Sequence, residues 1–375
     1  MATQRPVYLS TFVLAVTTNA ALISAVLAIA EGADQRAEQP FSAAAILTGT
    51  ARERGEAYGR LYKVDIREFL NREIYAAFLG KPYSKQELLD YAKACGEVTR
   101  EVCPLVAAEC EGIATGAAMS YDEIILINLH EELHHFPKKK LPGHCTGVAI
   151  APSDSGDGHT YVGQTWDWMT SVAGKSSIVE WQRKDGPSVI PYGFPGMPMG
   201  AGINSNGIAL CWTSGTGIQT LHAGVPSYLL IGHLLAQPDL DSVIREANRN
   251  KHAGIFTFVF ADADGNLLNI EGTPGEVATE RPKERLARAY FGTRQMTHAK
   301  PGEPVKLFPR CENMYNLLEK TTGKNDLQML QRYFTEHEYE IVQWKSPKTK
   351  TIDIMVFDTA ARTAHVTRGP DFHLE

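Results

Sequence analysis

The chain has 375 residues, of which 43% are hydrophobic and 21% charged, and its formal net charge is −6. A chain of this size can bury a full core in one large domain or two medium ones. Its basic residues are scattered, and the single dense run, 138–140, is typical of a solvated loop, so we expect no nucleic-acid partner.

Residues 1–30 predict a signal peptide or an N-terminal anchor. Arg5 precedes a largely apolar stretch over residues 7–30, which ends in the small-residue pattern Ala28-Ile29-Ala30. Polar residues at 17–19 interrupt this stretch and favour a cleaved signal over an anchor. The apolar stretch is nevertheless long enough to span a bilayer. We therefore expect an exported protein, periplasmic or secreted, with any membrane tether confined to residues 7–30.

Residues 31–144 predict a mostly helical segment. Apolar side chains recur at helical spacing from Tyr58 to Phe78. Capping boxes that begin at Ser84 and Ser120 start two further helices, and Pro104 should break the first of these.

From residue 145 onward the pattern changes to short, apolar, β-prone runs separated by turns. Asn206-Gly207 predicts a hairpin, and another hairpin closes the chain between Ile352 and Thr367. The simplest fold that accommodates both parts is an α+β fold, with two mostly antiparallel sheets and helices outside them.

We expect five of the six cysteines to be buried, unpaired thiols. Disulfides are the alternative in an exported chain, but Cys103 and Cys110 lie too far apart along one helix to be bridged. None has the CxxC spacing of a zinc site. The five are Cys95, Cys103, Cys110, Cys211 and Cys311.

Cys145 has different surroundings. It follows a soft loop, 137–143, and opens an apolar, β-prone run, and a later strand ends in Trp166-Asp167-Trp168. This arrangement is typical of an N-terminal nucleophile, in which the chain cuts itself between His144 and Cys145 and the freed α-amine becomes the base. The alternative is a buried structural thiol.

Six segments, in their order and spacing, resemble the acyl-coenzyme A:6-aminopenicillanic acid acyltransferase family (isopenicillin-N acyltransferase-like, peptidase C45-like), a branch of the N-terminal nucleophile hydrolases. The resemblance covers residues 46–370. The segments are GTARERGEAYG (49–59), ECEGIATGA (109–117), IILINLHEE (124–132), HCT (144–146), GQTWD (163–167) and INSNGIAL (203–210).

The resemblance implies a four-layer αββα sandwich, with residues 46–370 as one domain made from an α-chain, 31–144, and a β-chain, 145–375. It implies that Cys145 is the nucleophile and that Asp167 hydrogen-bonds the new α-amine. Attack on an amide then gives a thioester acyl-enzyme. No metal or organic cofactor is needed, and strands shared across one core should keep the cleaved fragments associated.

Several positions depart from the family pattern. His144 stands where relatives often carry Gly or Asp, which makes self-cleavage less assured. Thr297 replaces the asparagine that helps to hold the oxyanion, and losing such a donor costs about 10²–10³ in rate. Gln164 stands where choloylglycine hydrolases have Arg, which argues against that subfamily. Arg310 falls near a family arginine and could stabilise the nucleophile, bind a carboxylate or form a surface ion pair.

Further candidates for oxyanion or substrate contacts are Asn204, Trp212 and Thr213. For Asn204 a turn role is the alternative. An apolar acyl pocket is a second expectation, although a plain hydrophobic core explains the same residues. They are Trp166, Trp168, Phe194, Met197, Met199 and Trp212.

A competing pattern is HExxH, formed by His130, Glu131 and His134, in which two histidines bind zinc and the glutamate is the general base. Pro137 ends the helix soon afterwards, and no extended zinc motif follows, although Glu180 could be a third ligand. The zinc metallopeptidase is therefore an alternative hypothesis. Another is a catalytically inactive family member that serves as a binding protein, which the Thr297 substitution favours.

The sequence thus predicts a self-processing cysteine amidohydrolase or acyltransferase. Its expected substrate is a small molecule: an N-acyl amide, a small peptide or a lactam. If the protein is exported, cytosolic acyl-coenzyme A is an unfavoured partner.

Overall fold

The computed structural model describes residues 12–15, 45–80, 83–135, 145–214, 221–249, 251–289 and 308–369. The helices in these ranges are α1 (Ala51–Leu61), α2 (Lys63–Phe69), α3 (Ala76–Phe78), α4 (Lys85–Val102), α5 (Pro104–Ala117), α6 (Tyr121–Asn128), α7 (His130–His135), α8 (Ser227–Leu234), α9 (Leu240–Ala247), α10 (Pro309–Lys320) and α11 (Leu327–Thr335). The strands are β1 (Phe12–Ala15), β2 (Ile46–Leu47), β3 (Thr146–Ile150), β4 (Tyr161–Met169), β5 (Ser177–Ile178), β6 (Glu180–Trp181), β7 (Val189–Phe194), β8 (Met197–Asn204), β9 (Ala209–Ser214), β10 (Phe256–Ala261), β11 (Leu267–Thr273), β12 (Glu276–Glu280), β13 (Arg285–Ala289), β14 (Thr349–Asp358) and β15 (Thr363–Arg368).

The strands form two sheets. In the described residues, the first sheet has the order β1-β15-β14-β4-β3-β13, and all its neighbours are antiparallel. The second has the order β12-β11-β10-β9-β8-β7-β6-β2, with β5 also paired to β7 and a parallel β2–β6 pair at one edge.

The two sheets pack face to face between two layers of helices. Strands β3 and β4 of the first sheet contact β9 and β10 of the second. Helices α10 and α11 cover the outer face of the first sheet, where Met314 and Phe334 pack with Val148 and Ile354. On the other side, α8 packs against β8, and α9 against β11. The predicted four-layer αββα sandwich is confirmed.

Helices α1 and α5 approach each other closely because both carry glycines at the contact. A Cβ added at Gly55 would lie 2.0 Å from the Glu109 carbonyl oxygen. Gly59, Gly112 and Gly116 are equally constrained, since a Cβ at each would lie within 2.3 Å of backbone on the facing helix. The glycines in two of the segments that suggested the family therefore have a packing role.

A buried ion-pair cluster joins the same two helices to the second sheet. The Glu109 carboxylate accepts hydrogen bonds from Arg54 Nη2 at 2.9 Å and from Arg183 Nη2 at 3.0 Å. Both arginine side chains are fully buried. This cluster fixes the position of α1 and α5 relative to the loop that follows β6.

Most local predictions are confirmed. Ser84 and Ser120 form capping boxes, and α4 ends just before Pro104, which begins α5. The predicted helix from Tyr58 to Phe78 is interrupted by a π-helical turn, Leu70–Tyr75. The cysteines predicted to be buried and unpaired are free thiols inside the protein.

The predicted signal or anchor segment lies mostly outside the described residues. Its residues 12–15 form β1, which pairs with β15 at the edge of the first sheet. Among the helices described, none combines the length and apolar character that crossing a bilayer requires. Export stays a prediction.

Candidate active site

Cys145 lies immediately before β3, at the interface of the two sheets. Strand β3 pairs with β4 so that Thr146 is opposite Thr165, which places Cys145 beside the end of β4 that carries Asp167. The cysteine is 8% exposed. The predicted juxtaposition of Cys145 and Asp167 therefore arises from the antiparallel pairing of these two strands.

Both carboxylate oxygens of Asp167 accept hydrogen bonds. Arg310 Nη1 donates to Oδ2 at 2.6 Å, and the Thr351 hydroxyl of β14 donates to Oδ1 at 2.5 Å. Arg310 also donates to the Ile341 carbonyl at 2.8 Å, which fixes the guanidinium. Burial raises the pKa of Asp167, whereas Arg310, Thr351 and Thr165 oppose that rise because they stabilise the charged form.

Thr165 connects this cluster to the start of β3. Its hydroxyl accepts the Thr146 backbone N–H at 3.0 Å, and it also lowers the pKa of the Asp167 carboxyl. Alternation along β4 places Thr165 and Asp167 on the same face. One hydroxyl thus holds the backbone next to Cys145 and stabilises the charge of Asp167.

The Cys145 thiol is protonated in this environment. Burial, and secondarily the Asp167 charge, raise its pKa to about 12, while the Asp167 backbone N–H and the Gln164 side chain oppose the rise. The negative charge of Glu131 adds to it. Because the thiolate is the nucleophile, the thiol needs a base to react at neutral pH.

Aromatic side chains form the neighbouring part of the core. Trp166 lies 5.1 Å from Tyr192 and 6.3 Å from Trp212, measured between ring centroids, and Trp168 lies 4.6 Å from Phe194. All these rings are buried. The residues expected to line an acyl pocket do gather beside β4, but they also belong to one continuous hydrophobic core.

The two candidates on β9 present different groups. The Trp212 backbone N–H donates to Gln164 Oε1 at 2.9 Å and is therefore already used. Within the described part of the chain, the Trp212 indole N–H and the Thr213 hydroxyl are buried without a hydrogen-bond partner. These two groups are the ones on β9 that could meet a polar atom of a substrate.

Asn204 is a turn residue, which is the alternative that the sequence analysis left open beside the role of oxyanion donor. Its amide nitrogen donates to the Leu235 and Gln237 carbonyls, and its Oδ1 accepts the backbone N–H groups of Asn206 and Ile208. Every strong hydrogen-bonding group of the side chain is thus committed to the hairpin and to the end of α8. His144 and Thr297 lie outside the described residues.

The HExxH segment is not organised as a metal site. His130 packs edge-on against Trp168, with ring centroids 4.8 Å apart, and Glu180 lies on β6, hydrogen-bonded to Gln182. Across the ranges that the structure describes, no group of three or more His, Cys, Asp or Glu side chains could hold a metal ion.

Sequence reasoning missed the two threonines that support Asp167. Thr165 could have been found from its alternate position on the same strand. Thr351 could not, because it is 184 residues from its partner and its neighbourhood carries no motif.

Comparisons with known proteins agree with the resemblance. A sequence model of the family described as acyl-coenzyme A:6-aminopenicillanic acid acyl-transferase matches residues 154–371, more than half of the chain. The match includes Asp167 and Arg310 and begins after Cys145. A comparison with curated proteins gives no match.

Two solved structures are distantly similar. A conjugated bile acid hydrolase from Clostridium perfringens is 11% identical, with 60% of this chain and 89% of that one covered and a TM-score of 0.42. Penicillin V acylase from Agrobacterium tumefaciens is 13% identical, with 57% and 80% covered and a TM-score of 0.38. The family match extends across all the strands from β4 to β15, and the chain belongs to the acyl-coenzyme A:6-aminopenicillanic acid acyl-transferase family.

Proposed function

We propose that the protein is a self-processing cysteine amidohydrolase or acyltransferase that carries its acyl intermediate on Cys145. Family membership supports acyl transfer or amide hydrolysis in general. The observation that carries the specific proposal is the position of Cys145, buried at the start of β3 beside Asp167, which Arg310 and Thr351 hold in place.

The proposed reaction uses the α-amine that cleavage before Cys145 would release. An α-amine with a pKa of about 8 can accept the thiol proton. The sulfur then attacks the amide carbonyl carbon, the carbon–nitrogen bond breaks, and the leaving nitrogen takes the proton. Water or an amine acceptor then attacks the thioester, releases the acyl group and returns the proton to sulfur. Asp167 orients the amine, as the third member of a triad orients its base.

The substrate proposed is a small N-acyl amide, peptide or lactam. The buried rings beside Cys145 would suit an apolar acyl group, and the Trp212 indole N–H and Thr213 hydroxyl would suit a carbonyl oxygen. We also propose that the fragments stay together after cleavage. The support is that α5 and α6, from the predicted α-chain, pack against α8 of the β-chain in one core.

The test is an intact mass spectrum of the wild-type chain beside Cys145→Ala. We expect two fragments that divide before residue 145 in the wild type and one undivided chain in the variant. Cys211→Ala is the matched control because Cys211 is a buried thiol close to Cys145, and this variant should be cut. An undivided wild-type chain would overturn self-processing, and a divided Cys145→Ala chain would overturn the nucleophile.

A further inference from the structure

Strand β14 contains a β-bulge where it passes the candidate active site. Thr351 is opposite Asp167 of β4, whereas Asp353 is opposite the adjacent residue, Trp166. Residues two apart on a regular strand share a face, but these two do not. The Asp353 carboxylate accepts the Tyr192 hydroxyl of the second sheet at 2.6 Å, and the Thr351 hydroxyl donates to Asp167 at 2.5 Å. The bulge therefore turns Thr351 towards Asp167, a common use of bulges beside active sites.

The Thr351 hydroxyl joins Asp167 to the backbone of Gln343. The side chain is fully buried. The Gln343 backbone N–H donates to the Thr351 hydroxyl oxygen at 2.8 Å, and the Thr351 backbone N–H donates to the Gln343 carbonyl oxygen at 2.7 Å. A hydroxyl has one proton, and an ionised carboxylate can only accept. The hydrogen bonds therefore run from the Gln343 N–H to Thr351 and from Thr351 to Asp167, and bonds in such a chain strengthen one another.

The same stretch of backbone, 341–343, also holds the second partner of Asp167. The Ile341 carbonyl oxygen accepts Arg310 Nη1 at 2.8 Å, and this nitrogen donates to Asp167 Oδ2 at 2.6 Å. Ile341 is itself fully buried, in the hydrophobic cluster between the first sheet and helices α10 and α11. Segment 341–343 therefore fixes the donors to both carboxylate oxygens of Asp167.

We propose that Thr351 is a positioning residue for the reaction at Cys145 and that segment 341–343 sets its position. The inference rests on the proposed function, in which Asp167 orients the groups that react. A carboxylate held by one donor can still rotate about its Cβ–Cγ bond, and a second donor on the other oxygen removes this freedom. Thr351 acts through Asp167 and touches no reacting atom. Its effect on rate follows because a displacement of about 1 Å in such a site can cost about 10²-fold.

The test measures self-cleavage of the full chain, made by cell-free synthesis, by intact mass at fixed times, with rates taken for the folded fraction. Thr351→Val keeps the shape and removes the hydroxyl. It should slow cleavage by about 10–100-fold, the usual worth of a hydrogen bond to a charged group. Thr351→Ser restores the hydroxyl and should cleave at close to the wild-type rate. Thr359→Val is the matched control: it removes another fully buried hydroxyl, one that donates to backbone carbonyls, and should cleave normally.

A second pair of variants tests the segment. Gln343→Pro removes the backbone N–H that donates to the Thr351 hydroxyl, whereas Gln343→Ala keeps it. We expect Gln343→Ala to match the wild type and Gln343→Pro to cleave more slowly. Circular dichroism establishes that the compared chains are folded.

The pH dependence separates positioning from a loss of stability. The groups that face the Asp167 carboxyl are Arg310 of α10, the hydroxyls of Thr351 and Thr165, and Cys145 before β3. Thr351 lowers the pKa of Asp167 by stabilising its charged form. Thr351→Val should therefore raise that pKa, and the fall in rate on the acid side should move to higher pH. A variant that is merely less stable would keep the wild-type profile in its folded fraction.

The outcomes distinguish this role from the proposed function. A Thr351→Val chain with the wild-type rate and profile would overturn the positioning role and leave self-processing intact, as would a Thr351→Ser chain as slow as Thr351→Val. Equal rates for folded Gln343→Pro and Gln343→Ala would overturn the part assigned to segment 341–343. An undivided wild-type chain would overturn self-processing and the positioning role together.

Discussion

Two buried carboxylate–arginine clusters in this protein are similar in chemistry and different in use. Asp167 pairs with Arg310 next to Cys145, and Glu109 pairs with Arg54 and Arg183 between α1, α5 and the second sheet. Each carboxylate is almost fully buried, and each has both oxygens occupied.

The difference lies in what else each carboxylate touches. Glu109 is surrounded by its two arginines and by the close contact of two glycine-bearing helices, so its partners are all structural. Asp167 lies two residues from Thr165, which accepts the backbone N–H of the residue after Cys145, and the Asp167 backbone opposes the rise in the pKa of the Cys145 thiol. A buried ion pair is therefore weak evidence for function by itself. The neighbouring Cys145, the proposed nucleophile, is what distinguishes the two clusters.

The largest effect is expected for Asp167→Asn. Loss of the charge leaves Arg310 without its counterion and removes the group that would orient the nucleophile. We expect self-cleavage to fall by about 10³–10⁴-fold, comparable to the loss of the orienting carboxylate in a catalytic triad. Intact mass at fixed times gives the rate, and circular dichroism checks the fold. A normal rate in a folded variant would make this cluster structural, like that of Glu109.

Glu109→Gln should lower the stability of the protein and leave the rate of self-cleavage unchanged. Two buried arginines would lose their counterion, and breaking such a pair costs about 3–5 kcal/mol. Urea unfolding in the Cys145→Ala background measures this loss on a chain that should stay undivided. With Cys145 present, the folded fraction of Glu109→Gln should still cleave at the wild-type rate. Slow cleavage by folded Glu109→Gln would contradict the separation of the two clusters.

Lysine substitutions should give the smallest effects and differ between the clusters. Arg310 uses the single atom Nη1 for both of its contacts, so Arg310→Lys can keep the ion pair, and we expect a loss of about 1 kcal/mol or less. Arg183 holds Glu109 through both Nε and Nη2, a two-point contact that lysine cannot reproduce. Arg183→Lys should therefore lower the free energy of unfolding more than Arg310→Lys does. Urea unfolding in the Cys145→Ala background measures both losses. Equal losses would show that the two-point geometry is unimportant.

The sequence predicted those features that depend on neighbouring residues. Capping boxes at Ser84 and Ser120 need a hydroxyl and a carboxylate three residues apart, and the break at Pro104 needs one missing N–H. The π-helical turn, Leu70–Tyr75, has no comparable local signal and was missed.

The candidate site residues came from two sources. Cys145 stands out because it opens a β-prone run after a soft loop, whereas the roles of Asp167 and Arg310 came from the family resemblance. For Asn204 the sequence analysis left two roles open, and its side chain is engaged in its own turn. The HExxH pattern suggested zinc because it is local, whereas the surroundings of its side chains depend on how α7 packs against β4 and α8.

The sequence by itself therefore determined most of the elements and the change from helices to strands near residue 145. Only the tertiary structure decided which carboxylates are buried and which of them are held by an arginine. The reason is physical: helix caps and strand patterns depend on residues a few positions apart. The pKa of a side chain depends on burial and on charges within a few ångströms, and these come from segments far apart in the chain.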